Sequence, residues 1–248
     1  MKTASMIAAA STLLLSGMAN AAEIKVLSTQ ATEEAYRELV PQFERASGHK
    51  VTTTFTGTLD VMKRIAAGET YDLIIMAGPS IEELIKAGKI VSGSRVDIAK
   101  SGVGVAVRKG APKPDISTVE ALKKTLLAAK SIGYSTGPSG IYLVNMFRKM
   151  GIADEVKGKL KQTPTGVFVG SIIANGEAEI GFQQVSELVH FAGLDFLGPL
   201  PADVQQITVF SGGIRAGAKE AGAAKALLTF ITATAAAPVI KKYGLEPG

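Results

Sequence analysis

The stretch IKVLSTQATEEAYRELVPQFERASG, residues 24–48, indicates the fold class because it joins three kinds of segment without a break. Ile24–Leu27 is apolar and predicts a short strand, and small polar residues follow it at 28–32. Apolar side chains then recur at helical spacing, which predicts a helix over 33–46 that Gly48 ends. A strand, a polar loop and an amphipathic helix in this order are typical of a parallel α/β sheet.

The same order repeats twice downstream. Val51–Phe55 predicts a strand rich in β-branched residues, followed by a helix over 59–67. Asp72–Met76 predicts a buried strand, followed by a helix that ends before Gly88. Three such units predict a parallel sheet covered by helices.

A second α/β block follows the first. Its predicted strands cover 103–108, 131–134 and 179–182, and its predicted helices cover 118–128, 141–150 and 167–175. Two strand-like stretches, Ser101–Arg108 and Thr208–Gly213, can carry the chain between the blocks. We therefore predict an α/β fold of two lobes, each a mainly parallel sheet flanked by helices, joined by two crossing strands. The first lobe is predicted over 22–102 plus 212–248, and the second over 103–211.

The N-terminus has the pattern of a secretory signal peptide. Lys2 supplies a positive start, residues 4–18 are almost wholly small or apolar, and Ala19-Asn20-Ala21 fits the small-x-small cleavage pattern. The apolar stretch is about 15 residues, short of the roughly 20 that a spanning helix needs. We predict a signal peptide over 1–21, cleavage after Ala21, export to the periplasm and no membrane insertion after the signal is removed.

Composition and charge exclude several classes of protein. The chain has 248 residues, of which 46% are hydrophobic and none is cysteine, so it fits neither a disordered protein nor a disulfide framework. Its 27 Lys and Arg exceed its 22 Asp and Glu only modestly, and they are scattered. Nucleic-acid binding is not expected, because it needs a concentrated basic face. His49 and His190 lack metal-ligand spacing, so we expect neither a metal nor a cofactor.

Four loops that precede helices are rich in small polar residues. They cover 28–32, 56–58, 135–140 and 163–166. Helix N-termini expose N–H groups and a positive dipole end, and hydroxyls add further donors, so such loops bind anions without charged side chains. In open α/β sheets they meet at the carboxyl ends of the strands. The alternative, that these residues only cap helices, remains open for each loop taken alone.

Catalytic motifs are sparse. Neither a GxSxG motif nor a Walker loop is present, and Gly102-Val103-Gly104-Val105 stands at a strand start rather than before a helix. Glu187 and Tyr142 lie close to the polar loops in the sequence. They are the candidates for proton transfer if the protein is an enzyme.

Several segments, in order along the chain, resemble the periplasmic molybdate-binding protein family. They are Ile24–Leu27, Gln42-Phe43, Ile65–Gly68, Asp72–Ile75, Pro138–Tyr142, Gly176–Gly181 and Lys242–Gly244. The resemblance implies a type II two-lobed binding protein that closes on an oxyanion and delivers it to an ABC permease.

Ligand-binding residues follow from the loops and from this resemblance together. The resemblance places oxyanion contacts at Ala31, Gly57-Thr58, Ser139, Gly166 and Gln184. The full predicted set is Thr29, Gln30, Ala31, Thr32, Gly57, Thr58, Ser139, Gly140, Gly166, Gln183 and Gln184. The paired amides of Gln183 and Gln184 suit a larger polar organic anion better than molybdate.

The segment Gly181–Glu187 is similar to a divergent branch of the family, the periplasmic aconitate isomerases. That branch implies conversion between cis- and trans-aconitate, with Glu187 or Tyr142 as base, although the loops contain no Arg or Lys to pair with a tricarboxylate. We expect a monomeric substrate-binding protein for a small oxyanion or organic carboxylate, served by an ABC permease. An aconitate isomerase on the same scaffold is the alternative.

Overall fold

The computed structural model describes residues 21–248. The predicted signal peptide lies outside these residues except for Ala21. The described residues form ten strands and ten α-helices in alternation. The strands are β1 (Glu23–Thr29), β2 (Lys50–Thr56), β3 (Leu73–Ala77), β4 (Val96–Arg108), β5 (Ile132–Tyr134), β6 (Leu160–Gln162), β7 (Ile180–Gln184), β8 (Leu194–Pro199), β9 (Ile207–Ile214) and β10 (Glu246–Pro247).

The helices follow the amphipathic segments of the sequence. They are α1 (Glu33–Ser47), α2 (Thr58–Ala66), α3 (Gly78–Lys86), α4 (Val119–Ala128), α5 (Pro138–Lys149), α6 (Ala153–Lys157), α7 (Val169–Ala174), α8 (Val185–Leu188), α9 (Ala221–Ile231) and α10 (Ala237–Lys242). In α1, Tyr36, Leu39 and Phe43 are buried at helical spacing, and Gly48 ends the helix with a φ of +75°.

The strands form one continuous path in the order β2-β1-β3-β9-β4-β7-β5-β6. At one end β1 is parallel to β2 and β3, and at the other end β5 is parallel to β6 and β7. Between them, β4 and β9 run antiparallel to their neighbours. Two parallel α/β units joined through two central strands are the architecture that the sequence predicts.

The strand β4 belongs to both halves of the molecule. Its residues 96–102 pair with β9, and its residues 103–107 pair with β7. Among the described residues, the strand β9 pairs with β3 and β4 alone. These pairings support a division of the lobes close to Gly102, and the lobe bounds themselves stay a prediction.

Each half has its own hydrophobic core. In the first half, Ile24, Val26 and Leu73 pack beneath α1 and α9. In the second, Val105 and Phe182 pack with α4 and α5. Separate cores allow the halves to move as units about the central strands.

Two helix starts and several short elements differ from the sequence prediction. The helix predicted from Ile141 begins at Pro138, and the helix predicted from Val167 begins at Val169. Proline at the first helical position supplies the right φ and needs no N–H partner, which explains the earlier start of α5. The prediction also lacked α6, β6, α8 and β8, whose lengths of three to six residues leave little periodic signal.

No single helix within residues 21–248 is long and apolar enough to cross a membrane. The segments Ala221–Ile231 and Thr234–Lys242 pass that test only as a pair, which is bent by 57°. In the folded chain α9 buries Leu227, Leu228 and Ile231 in the first core.

Candidate functional site

A cleft between the two halves brings most of the predicted residues together. It holds a cavity of about 40 Å³, room for about three water molecules. The lining residues are Thr29, Gln30, Ala31, Thr56, Gly57, Thr58 and Phe210 from the first half and Ser135, Thr136, Gly137, Pro138, Ser139, Pro164, Gly166, Val167, Gln183, Gln184 and Glu187 from the second.

The first half presents the N-terminus of α2 to this cleft. Gly57 is the N-cap in an extended conformation, and its carbonyl accepts from Val61 N at 3.0 Å. The N–H groups of the first turn have no earlier carbonyl within the helix to bond, and the helix dipole is positive at this end. Thr58 adds a hydroxyl at the first helical position. The result is a donor-rich wall without a charged side chain.

The second half presents the N-terminus of α5 from the opposite side. Gly137 is the N-cap, and Ser139 is only 2% exposed. Ser135 Oγ accepts from Gly137 N at 3.2 Å and lies 3.3 Å from Ser139 Oγ. A Cβ on Gly140 would overlap the Ser135 carbonyl, so this tight loop requires glycine there. Two helix N-termini therefore converge on one small space.

A buried hydroxyl at the end of β1 also faces the cleft. Thr29 is 5% exposed, and its Oγ1 has no hydrogen-bond partner among the described residues. A buried hydroxyl without a partner costs about 1–3 kcal/mol. A ligand oxygen in the cleft would remove that cost, so Thr29 is a strong candidate contact.

The two halves touch at the mouth of the cleft. Gln30 Nε2 donates to the Gly166 carbonyl at 3.1 Å. Gly57 lies so close to the opposite loop that an added Cβ would sit 2.6 Å from Gly166 N and would overlap Thr165. Gly166 itself has a φ of +79°. The structure is therefore a closed form of the cleft.

Glu187 is the one carboxyl group among the residues that line the cleft. Its Oε1 accepts from Gln183 Nε2 at 3.0 Å, while Gln183 Oε1 accepts from Val169 N at 2.8 Å. The residue is half-buried and lines the cleft, and the protein packed around it desolvates the carboxyl group. This burial raises the pKa of Glu187 to about 8, against the opposing effect of hydrogen bonds from Gln184 and Gln183.

Gln184 reaches from β7 to the central strands. Its amide lies 3.2 Å from Thr208 Oγ1. With the amide nitrogen turned towards the carbonyls of Ser101 and Gly102, at 3.2 and 3.3 Å, every polar atom of the group is satisfied. Gln184 thus borders the cleft while its amide ties the second half to β4 and β9.

The structure places ten predicted residues on the cleft wall: Thr29, Gln30, Ala31, Gly57, Thr58, Ser139, Gly166, Gln183, Gln184 and Glu187. Three lie elsewhere. Thr32 borders a separate small apolar cavity with Ala35 and Tyr36. Gly140 packs on the Ser135 carbonyl. Tyr142 does not line the cleft, and its hydroxyl donates to the Val204 carbonyl at 2.7 Å, so Glu187 is the better placed of the two candidates for proton transfer. Contact with a ligand stays a prediction for all of them.

Sequence reasoning missed Phe210, Thr56 and Val167 as lining residues. Phe210 is 1% exposed and packs with Ala31 and Ala77 at the floor of the cleft. Its position depends on the pairing of β9 with β3, which no local pattern shows. Thr56 is the first residue of the predicted polar loop 56–58 but was not included in the predicted ligand-binding set, so its sequence position was a usable signal.

The electrostatics of the cleft come from neutral donors. Within residues 21–248, no Lys or Arg lines the cavity. The same part of the chain holds no group of three or more His, Cys, Asp or Glu side chains arranged to bind a metal ion. Larger grooves of about 440 and 490 Å³ share Lys113, Pro114 and Asp115 on the second half, and they contain none of the predicted site residues. The cleft can bind an anion through N–H and O–H groups.

The chain is similar to known proteins over nearly the whole of its described length. The model of a family described as bacterial extracellular solute-binding protein matches residues 24–246. An aconitate isomerase from a Pseudomonas species is 36% identical over 230 residues, which cover 90% of this chain and 87% of that protein. The molybdate-binding protein ModA of Azotobacter vinelandii is 30% identical over 239 residues, which cover 93% of this chain and 92% of that protein.

A solved structure confirms the predicted fold class. The periplasmic molybdate-binding protein of Azotobacter vinelandii superimposes with a TM-score of 0.75 at 21% identity, covering 90% of this chain and 98% of that one. The chain thus has the two-lobed α/β fold of type II periplasmic binding proteins. With the family model matching nearly all of residues 21–248, the chain belongs to the bacterial extracellular solute-binding proteins.

Proposed function

We propose that the cleft binds a small oxyanion or a small organic carboxylate and closes on it for delivery to an ABC permease. The observation that carries this proposal is the convergence of the α2 and α5 N-termini from opposite lobes on one cavity. Because neither lobe alone supplies both sets of donors, binding favours the closed form.

The size of the cavity bears on the ligand. About 40 Å³ suits the oxygens of one oxyanion or one carboxylate group in this closed form. A tricarboxylate would require wider separation of the lobes. Molybdate, the ligand named for one relative, is therefore compatible in size with the cavity. It is one of the small oxyanions that the proposal includes.

The cellular context follows from the relatives and the N-terminal sequence. We propose that the protein is exported to the periplasm after cleavage behind Ala21 and acts as a monomer, with lobes over 22–102 plus 212–248 and 103–211. The similar molybdate-binding protein of Azotobacter vinelandii is described as periplasmic, which supports the proposed export.

A panel of anions tests the binding function. Purified protein is heated with molybdate, tungstate, sulfate and a set of di- and tricarboxylates, and each Tm shift is followed by calorimetric titration. A ligand at 100 times its Kd raises the free energy of unfolding by about 2.7 kcal/mol. The Ser139→Ala variant should bind the same anion about 5–150-fold more weakly, because it removes a buried donor. No shift with any anion of the panel contradicts the proposal.

A second function, aconitate isomerase, is favoured by one specific observation. Glu187 places a carboxyl group with a pKa of about 8 on the wall of the anion-binding cleft. A group of that pKa can both give and accept a proton near neutral pH, as a shift of a carbon–carbon double bond requires. The 36% identical relative is named an aconitate isomerase.

Turnover decides between the two functions. Each aconitate isomer is incubated with the protein, and the other isomer is followed by proton NMR. Appearance of the second isomer with wild type but not with Glu187→Gln supports the enzyme. Binding of an anion without any conversion of either isomer supports the transport function alone.

A further inference from the structure

The acidic group in the cleft is unusual for a site that binds anions. All other lining residues are neutral, and their donors are N–H groups and hydroxyls. An ionised Glu187 would repel the ligand at close range, since like charges a few ångströms apart destabilise each other. The fold nevertheless keeps the group at the cavity wall.

Hydrogen bonds fix the place of this carboxyl. Val169 N donates to Gln183 Oε1, so the Gln183 amide must turn its nitrogen to Glu187 Oε1. The helix α8 that carries Glu187 packs against the turn Gln30–Thr32 of the other lobe. Closure of the lobes therefore covers Glu187 and removes water from it.

Charged groups on the neighbouring elements do not neutralise Glu187. Glu33, at the start of α1, opposes its ionisation. On β8, Asp195 is paired with Lys113, and next to α8 the Lys242 ammonium is paired with Glu38. The other charged side chains on the packed elements are Asp97, Lys100 and Arg108 of β4. None of the ion pairs of the described residues includes Glu187.

We propose that Glu187 takes up a proton when the cleft closes on an anion, and that the neutral carboxyl group then serves as a hydrogen-bond donor to the ligand. This inference rests on the proposed function and adds a proton to the bound state. The ligand is therefore recognised as an anion together with one proton, and its affinity depends on pH.

The sign of the dependence follows from the two states. In an open cleft water hydrates the carboxylate, and Glu187 is ionised above its ordinary pKa of 4.5. In the closed cleft burial raises the pKa to about 8. Between these values closure binds one proton, so affinity falls about tenfold per pH unit as pH rises and levels off above about pH 8.

Molybdate and trans-aconitate serve as probes in calorimetric titrations from pH 5.5 to 8.5. At pH 6.5 the experiment is repeated in two buffers of different ionisation enthalpy, which counts the protons taken up. Glu187→Gln is the matched variant, because its amide is neutral at every pH and still donates. Wild type should take up about one proton, and Glu187→Gln should take up none and bind with little dependence on pH.

Two other results have different meanings. Binding by wild type without proton uptake, or proton uptake that persists in Glu187→Gln, overturns the inference and leaves the proposed function standing. If neither molybdate nor trans-aconitate binds, the proposed function is contradicted for these two ligands. The same titrations are then run with the anion of the panel that binds, and its binding without proton uptake overturns the inference. If no anion of the panel binds, the inference falls together with the proposed function.

Discussion

At the scale of single residues, two buried threonine hydroxyls provide a matched pair. Thr29 Oγ1 and Thr32 Oγ1 both lack partners among the described residues, and both side chains are at most 5% exposed. Only Thr29 lines the cleft. We expect Thr29→Val to lower ligand affinity by about 1–3 kcal/mol and Thr32→Val to leave it unchanged. Neither should lower Tm, because no protein hydrogen bond is lost. Equal affinities of both variants would place the ligand elsewhere.

Glu187 also predicts a pH-dependent change in stability. Its pKa is raised in the closed form of the folded protein, so its favourable contribution there is complete below about pH 4.5 and is lost as pH rises to about 8. Glu187→Gln should therefore leave the free energy of unfolding nearly unchanged at pH 5 and raise it by roughly 1–3 kcal/mol at pH 8. This gain is smaller than the full pKa shift of the closed form would give, because opening of the cleft hydrates the carboxylate. Urea titrations at both pH values measure the effect, and a gain that is largest at pH 5 would contradict it.

At the scale of elements, the approach of the α2 N-terminus to the loop of Gly166 limits what residue 57 can be. A Cβ there would contact the opposite lobe only in the closed form. We expect Gly57→Ala to weaken ligand binding at least about tenfold while lowering Tm by only a few degrees, since alanine is a poorer N-cap than glycine by about 0.5–1 kcal/mol.

The control for this variant is Gly222→Ala in α9. Gly222 has open space around its Cα and lies in a helix far from the cleft in the sequence. Alanine there should raise stability by about 0.5–1 kcal/mol without any change in affinity. If Gly57→Ala binds as tightly as Gly222→Ala, closure does not bring these elements together as the structure has them.

At the scale of the whole molecule, the joint between the lobes depends on a side chain as well as on strands. Gln205 Oε1 accepts from Val103 N at 2.8 Å, and Gln205 Nε2 donates to the Val103 carbonyl at 3.1 Å. This pair of bonds meets β4 at the residue where its partner strand changes from β9 to β7. Gln205 therefore supports the hinge.

Replacement of Gln205 tests that role. Gln205→Leu leaves the buried Val103 N–H without its partner, so we expect stability to fall by about 1–3 kcal/mol and the lobes to sample wider openings. Small-angle X-ray scattering should report a larger radius of gyration in the ligand-free variant. Gln206→Leu is the control, because the exposed Gln206 amide bonds only to its own neighbours. Equal radii for the two variants would exclude Gln205 from the hinge.

The sequence by itself determined the elements and the loops that meet at the site. Hydrophobic periodicity located β1, α1 and their repeats, because burial of one face acts locally along the chain. The polar loops before helices contain seven of the ten predicted residues that line the cleft, because strands of a parallel sheet present their carboxyl ends at one edge.

Only the tertiary structure decided how those residues act. Thr29 and Thr32 are three positions apart and equally polar, yet the turn between them sends one to the cleft and the other to the core. Tyr142 and Glu187 were equal candidates in the sequence. In the folded chain the Tyr142 hydroxyl donates to the Val204 carbonyl, whereas Glu187 lines the cavity. The position of Phe210 and the pKa of Glu187 depend on strand register and on exclusion of water by both lobes. Such contacts join segments far apart in the chain, so no local pattern of residues can encode them.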